Sequence, residues 1–182
     1  MARTVARYAP ATRALHWLVA LVVIVTLPVG AIMTGEGLSR EMQNALFIFH
    51  KNIGVVILLL VAARLVLRAV RPAPPMPVHM PTWQRRAAVA THWGLYALLV
   101  VMAVSGYVRV EAGNFPIEGL DALGIPPLVP VDEALAKTAQ SVHSTARFAL
   151  AGLILLHIAA ALQHGLLKRD GVFGRIWPPL GR

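Results

Sequence analysis

The chain has 182 residues, of which 57% are hydrophobic and only 14% charged, with a mean hydropathy of +0.66. A soluble domain carries about a quarter charged residues, so this composition points to a membrane protein. The formal net charge of +9 does not form one basic surface of the kind that binds nucleic acid, and the lack of cysteine excludes disulfides, thiolate-bound clusters and the C-x-x-C-H attachment of a c-type haem.

Taken in chain order, the first apolar run covers 13–34 and follows Arg3, Arg7 and Arg13. A basic start of this kind is also found in secretory signals, but the run is long for such a segment and no A-x-A site follows, so a retained helix is expected. The second run, 44–70, ends with Arg64 and Arg68, whose long side chains can snorkel to an interface. Residues 72–81, PAPPMPVHMP, predict an extended connection in which His79 is solvated, with Thr82 as the cap of the next helix.

The third run covers 86–109. The connection 110–140 is long, is interrupted by Pro126, Pro127 and Pro130, and predicts a short surface helix over 132–140. The fourth run is 141–167. Each run reaches the ~20 residues needed to cross a hydrocarbon core. There is no internal repeat, and the pattern predicts an all-α integral membrane four-helix bundle, a single domain spanning 1–182.

The charges assign an orientation. The amino terminus, the connection between the second and third runs with its flanks, and the carboxyl tail hold 12 basic residues against Asp170 alone. The other two connections hold Glu36, Glu41, Glu111, Glu118, Asp121, Asp132 and Glu133 against Arg40, Lys51, Arg109 and Lys137, a net of −3. By the positive-inside rule both termini are expected to be cytoplasmic.

Five of the seven histidines, His16, His50, His92, His143 and His157, lie inside the apolar runs, where an ionisable group is a functional candidate. His143 and His157 are 14 residues apart, roughly 21 Å of helical rise with a return to nearly the same face. The topology then matches His50 with His143 near the outer side and His16 with His157 toward the cytoplasm. Each pair is able to supply the two axial imidazoles of a b-type haem.

Two other readings of the spacing stay open. Imidazole also binds zinc, copper and nickel, as in a histidine-relay metal or proton transporter, although all eight acids lie outside the runs. Histidines can also simply hydrogen-bond between helices. Arg64 follows His50 by 14 residues, placing it at the level of the inner pair, and Arg147 follows His143 by four. Both are candidates to neutralise haem propionates, and interfacial anchoring is the alternative role for Arg64.

Four segments together carry a family resemblance: RYAPATRALHWLVA, FHKNIGVVILLLVAARLVLRAVRPAPP, THWGLYALLVVMAVSGY and SVHSTARFALAGLILLHIAAALQHGLLKRDGVFGRIWP. In this order they resemble the bacterial cytochrome b561 family, small dihaem membrane proteins that include superoxide oxidase. The resemblance covers almost the whole length and implies that His16, His50, His143 and His157 are the haem iron ligands. It implies a membrane oxidoreductase of the bacterial inner membrane, surrounded by lipid, that exchanges electrons with the quinone pool.

In superoxide oxidases the electron comes from superoxide and passes to ubiquinone, and that activity is the one expected here. Lys51, beside His50, and Arg147 are then the candidates for attracting the anion. The net negative outer connections argue against steering of a small anion, which leaves a periplasmic protein or a quinol as the alternative donor. His92 and His164 are candidates for quinone contact, because imidazole both donates hydrogen bonds and handles protons. Hydrogen bonding to a propionate or an interfacial group is the competing role for each, and Trp17 and Trp93 read as interfacial anchors.

Overall fold

The computed structural model describes residues 6–77 and 80–180, so His79 and the terminal charges Arg3 and Arg182 lie outside the described residues. Among the described residues all regular structure is helical. The first helix, α1 (Pro10–Ile32), opens with a proline at a position whose N–H has no helical partner, and holds a second, Pro28, in its interior. The second, α2 (Arg40–Val70), is capped by Ser39, whose Oγ accepts the Met42 N–H at 3.2 Å. It stops where the proline-rich connection begins.

Next comes α3 (Thr82–Ala112), which Pro81 introduces in an extended conformation. Thr82 is therefore the first helical residue and not the expected cap. The connection after it contains a short helix that the sequence pattern did not predict, α4 (Glu118–Ala122), ended by Gly124 at φ +66°.

The last long helix is α5 (Glu133–Leu162), which continues as a π-helical turn (Gln163–Lys168) and is followed by a 3-10 turn (Phe173–Arg175). The expected separate surface helix over 132–140 is instead the first part of α5. Asp132 caps it by accepting the Leu135 N–H at 2.8 Å, and no proline or glycine interrupts the chain before the apolar run.

The four long helices have apolar windows with mean hydropathies of 2.3, 2.5, 1.8 and 1.8, each long enough to cross a membrane. On their outward faces Leu21, Leu59, Phe148 and Leu155 are each more than 60% exposed. Such a surface suits hydrocarbon, where helices satisfy their own backbone groups. Four spans place both termini at one end of the bundle, here the terminal end, and α4 at the other, the loop end.

The core is small. Val19 and Val23 of α1 meet Ile57 and Val61 of α2, with Tyr96 and Leu99 of α3 and Ile154 of α5 packed around them. Helix α1 packs on α2, α2 on α3, and α3 most extensively on α5, whereas α5 has no comparable backbone approach to α1 or α2. Side chains of α1 and α2 that face α5 therefore meet across an interhelical gap.

At the terminal end the carboxyl segment folds back over α1. Trp17 Nε1 donates to the Ile176 carbonyl at 3.0 Å, and Arg13 donates to the Pro178 carbonyl at 2.8 Å. Arg175, only 6% exposed, donates to the Ala6 carbonyl and to Pro74 of the proline-rich connection.

Candidate functional site

Two histidine pairs face each other across the gap bordering α5. His50 of α2 and His143 of α5 have ring centres 6.1 Å apart and planes at 83°. His16 of α1 and His157 of α5 are 6.2 Å apart with planes at 72°. The first pair lies toward the loop end and the second toward the terminal end, because His143 and His157 lie 14 residues apart on one helix.

The loop-end pair is closely seated. His143 Nδ1 lies 2.9 Å from the Met102 carbonyl, an acceptor only, so this nitrogen carries the proton and donates, leaving Nε2 for a ligand. The buried Ser105 hydroxyl stands 3.2 Å from the same nitrogen. Each ring also lies against a glycine of another helix: a Cβ on Gly106 would come within 3.0 Å of His143, and one on Gly30 within 2.7 Å of His50. His50 Nδ1 is buried near the Thr26 carbonyl without reaching hydrogen-bond geometry.

The terminal-end site has three imidazoles. His92 of α3 approaches His157 with ring centres 5.5 Å apart, and Trp17 stacks edge-on against His16 at 5.4 Å. No hydrogen bond reaches the rings of His16, His92 or His157 among the described residues.

Arginines surround both pairs. Arg64 lies within electrostatic reach of His16, His92 and His157, the level that its spacing from His50 predicts, and its guanidinium packs over the Tyr96 ring. Arg147 acts on His143, rests over Phe148 at 4.6 Å, and keeps a buried Nε without a hydrogen-bond partner. Arg109, which the sequence pattern did not single out, acts on both His50 and His143 and lines an open depression of about 540 Å³ at the loop end. In the sequence it counted only as one of the four basic residues of the two acidic connections.

Two other sequence candidates are engaged elsewhere. Lys51 Nζ donates to the Pro116 carbonyl and pairs with Glu118 at 2.8 Å, which ties α2 to α4. Burial works against the charge of Glu118, but the hydrogen bonds from Lys51, its own backbone and Asn52 together hold its carboxyl below the ordinary range. His164 Nδ1 pairs with Asp170 at 2.6 Å beyond the end of α5, leaving Nε2 as its second nitrogen.

A flat macrocyclic metal cofactor fits these residues. Imidazole nitrogen bonds a first-row metal at about 2 Å, and two such bonds plus each nitrogen's distance to its own ring centre approximate the separations of 6.1 and 6.2 Å. The hydrogen bond from His143 to a carbonyl is the usual support of a metal-bound histidine. Among the described residues no group of three or more histidine, cysteine or carboxylate side chains is placed to hold a bare metal ion.

Fold and site together define a four-helix membrane haem protein. A model of the prokaryotic cytochrome b561 family matches residues 7–179, and the chain belongs to that family. It is similar to cytochrome b561 homolog 2 of Escherichia coli (strain K12), 28% identical over 171 residues, covering 93% of this chain and 90% of the relative. It is also similar to cytochrome b561 homolog 1 of the same organism, 24% identical over 167 residues, covering 90% and 93%. Membership implies b-type haem and a role in membrane electron transfer.

Proposed function

We propose that the chain is a dihaem cytochrome of the bacterial inner membrane, with both termini cytoplasmic, that passes electrons from the periplasmic side to ubiquinone. His50 and His143 are the ligands of the outer haem, and His16 and His157 those of the inner haem. The observation that carries this reading is the pair of facing imidazoles at each end of one bundle, in a gap that backbone packing leaves open. The haems would supply one-electron transfer; the protein sets where electrons enter and leave.

Arg64 on the inner side and Arg147 on the outer are the propionate partners in this reading, the latter supported by its buried, unpartnered Nε. Superoxide is the proposed donor: two superoxide ions each lose one electron to give two molecules of oxygen, and one ubiquinone takes two electrons and two protons to give ubiquinol. Arg147 and Arg109 supply positive charge beside the outer pair, whereas the contribution of Lys51 is reduced by Glu118. His92 and His164 are the proposed quinone-side residues, and the Asp170 carboxylate beside His164 suits a proton-handling group.

The pairing of Lys51 and the acidic outer connections favour a second reading of the donor, a periplasmic protein or a quinol. Haem quantitation on single histidine variants tests the ligand sets: His50→Ala and His143→Ala should each lose the outer haem, His16→Ala and His157→Ala the inner. Superoxide pulses followed by visible absorption test the donor. Haem reduction that dismutase suppresses and salt slows supports superoxide, and no reduction transfers the role to the protein or quinol.

A further inference from the structure

The two histidine pairs differ in how their rings are held. At the loop end His143 donates through Nδ1 to the Met102 carbonyl at 2.9 Å, beside the buried Ser105 hydroxyl, and Gly106 forms a flat surface under the ring. At the terminal end no hydrogen bond reaches His16, His92 or His157 among the described residues.

This difference has an electronic consequence for a metal held between the rings. An imidazole whose N–H donates to a carbonyl pushes electron density toward its other nitrogen and becomes a more basic ligand. A more basic ligand favours the oxidised metal, so hydrogen bonding around the ligands is one lever by which a protein sets a haem potential. Positive charge has the opposite effect, but it stands at both ends. Arg109 and Arg147 act on His143, while Arg64 acts on all three terminal-end rings and Arg68 and Arg175 act on His92. On the paired rings Arg109 acts on both His50 and His143 and Arg147 on His143, against Arg64 on His16 and His157, so it is the hydrogen bond, and not the arginines, that favours the oxidised metal at the loop end.

We infer that the loop-end centre has the lower reduction potential of the two, set by the hydrogen bond from His143 to Met102, so that electrons run downhill from the loop end to the terminal end. The inference rests on the dihaem reading above and adds to it the order of the two potentials and the residues that set it. One electron moves per transfer, leaving the donor at the loop end oxidised by one electron and the acceptor at the terminal end reduced by one. Ser105 and Gly106 act as positioning residues, because they hold the ring on its carbonyl acceptor and have no other part in the reaction.

The test is a potentiometric titration of the purified, haem-loaded chain, followed by visible absorption. The wild type should show two one-electron waves, the lower lost in His143→Ala and the higher lost in His16→Ala. Ser105→Ala and Gly106→Ala keep the ligand and should raise the lower wave alone, the glycine variant more, because its methyl group displaces the ring from Met102. These two variants assign the waves even if a ligand variant fails to assemble. Loss of the lower wave in His16→Ala, or an upward shift confined to the higher wave in Ser105→Ala and Gly106→Ala, overturns the inference alone. A chain that binds no haem overturns the dihaem reading and the inference with it.

Discussion

Gly30 of α1 lies so close to His50 of α2 that a Cβ there would stand 2.7 Å from the imidazole Cε1. An alanine at this position must displace the ring, since overpacking a close contact costs roughly 1–3 kcal/mol. Gly30→Ala should therefore lower outer-haem content more than Gly106→Ala, whose added carbon would meet His143 at 3.0 Å. Gly152→Ala serves as the control, with nothing within 4 Å. Haem per polypeptide is the measurement, and equal retention in all three variants would show that neither ring needs its glycine.

His92 is a neighbour of the terminal-end pair and not a distant surface group, with its ring 5.5 Å from that of His157. Replacing it by phenylalanine should shift the inner-haem absorption or its paramagnetic resonance signal while leaving the outer haem unchanged. His164→Phe should leave both spectra intact and slow haem reoxidation by quinone, as should Asp170→Asn. An unchanged inner spectrum in His92→Phe would remove that residue from the inner centre.

Arg175 connects three segments at the terminal end: its side chain donates to the Ala6 and Pro74 carbonyls and lies over the Tyr8 ring at 5.5 Å. Hydrogen bonds to charged groups are worth about 1.5–3 kcal/mol each, so Arg175→Ala should destabilise by on the order of 3 kcal/mol. Arg175→Lys keeps the charge but not the forked geometry and should recover only part of this. Thermal unfolding and protease cleavage within the carboxyl segment report the effect, and a fully stable alanine variant would rule out the clasp.

Glu118 holds Lys51 at the loop end, and its folded pKa is depressed below the ordinary 4.5. The sign follows from linkage: the stabilisation is present above the ordinary carboxylate pKa and is lost as pH falls through the lower folded value. Protection factors of the α4 amides, observed exchange being referred to the intrinsic rate at each pH, should therefore fall on acidification in the wild type and already be low at neutral pH in Glu118→Gln. Partly exposed pairs contribute about 0.2–1 kcal/mol, so global stability should change little. In superoxide pulses Lys51→Gln should slow haem reduction less than Arg109→Gln, because Glu118 already offsets the lysine charge; the reverse order would restore Lys51 as the main attractor.

The spans were legible because an apolar run of about 20 residues has one stable arrangement in hydrocarbon. Their ends were less so. Residues 132–140 read as a separate polar helix, yet a capped helix continues through a change of polarity when no residue breaks it, so they became the first part of α5. The loop helix α4, with five residues, is too short to leave a periodic pattern. The pairing of His50 with His143 and of His16 with His157 was predictable from depth, since helical rise converts residue number into height and each span reverses the direction.

Local hydrophobicity and a fixed rise per residue set the helices, their order and the heights of His16, His50, His143 and His157, so these were readable in the sequence alone. Only the tertiary structure decided what lies beside each ring. Gly30, Ser105, Gly106 and Arg109 reach the loop-end pair from helices whose rotation no spacing rule specifies, and His92 turns toward His157 in the same way. The partners of Lys51 and His164 depended on how the chain folds back outside the spans, where Glu118 lies 67 residues from its lysine. Depth along a helix is a property of one segment, whereas neighbours across a gap are a property of how several helices pack.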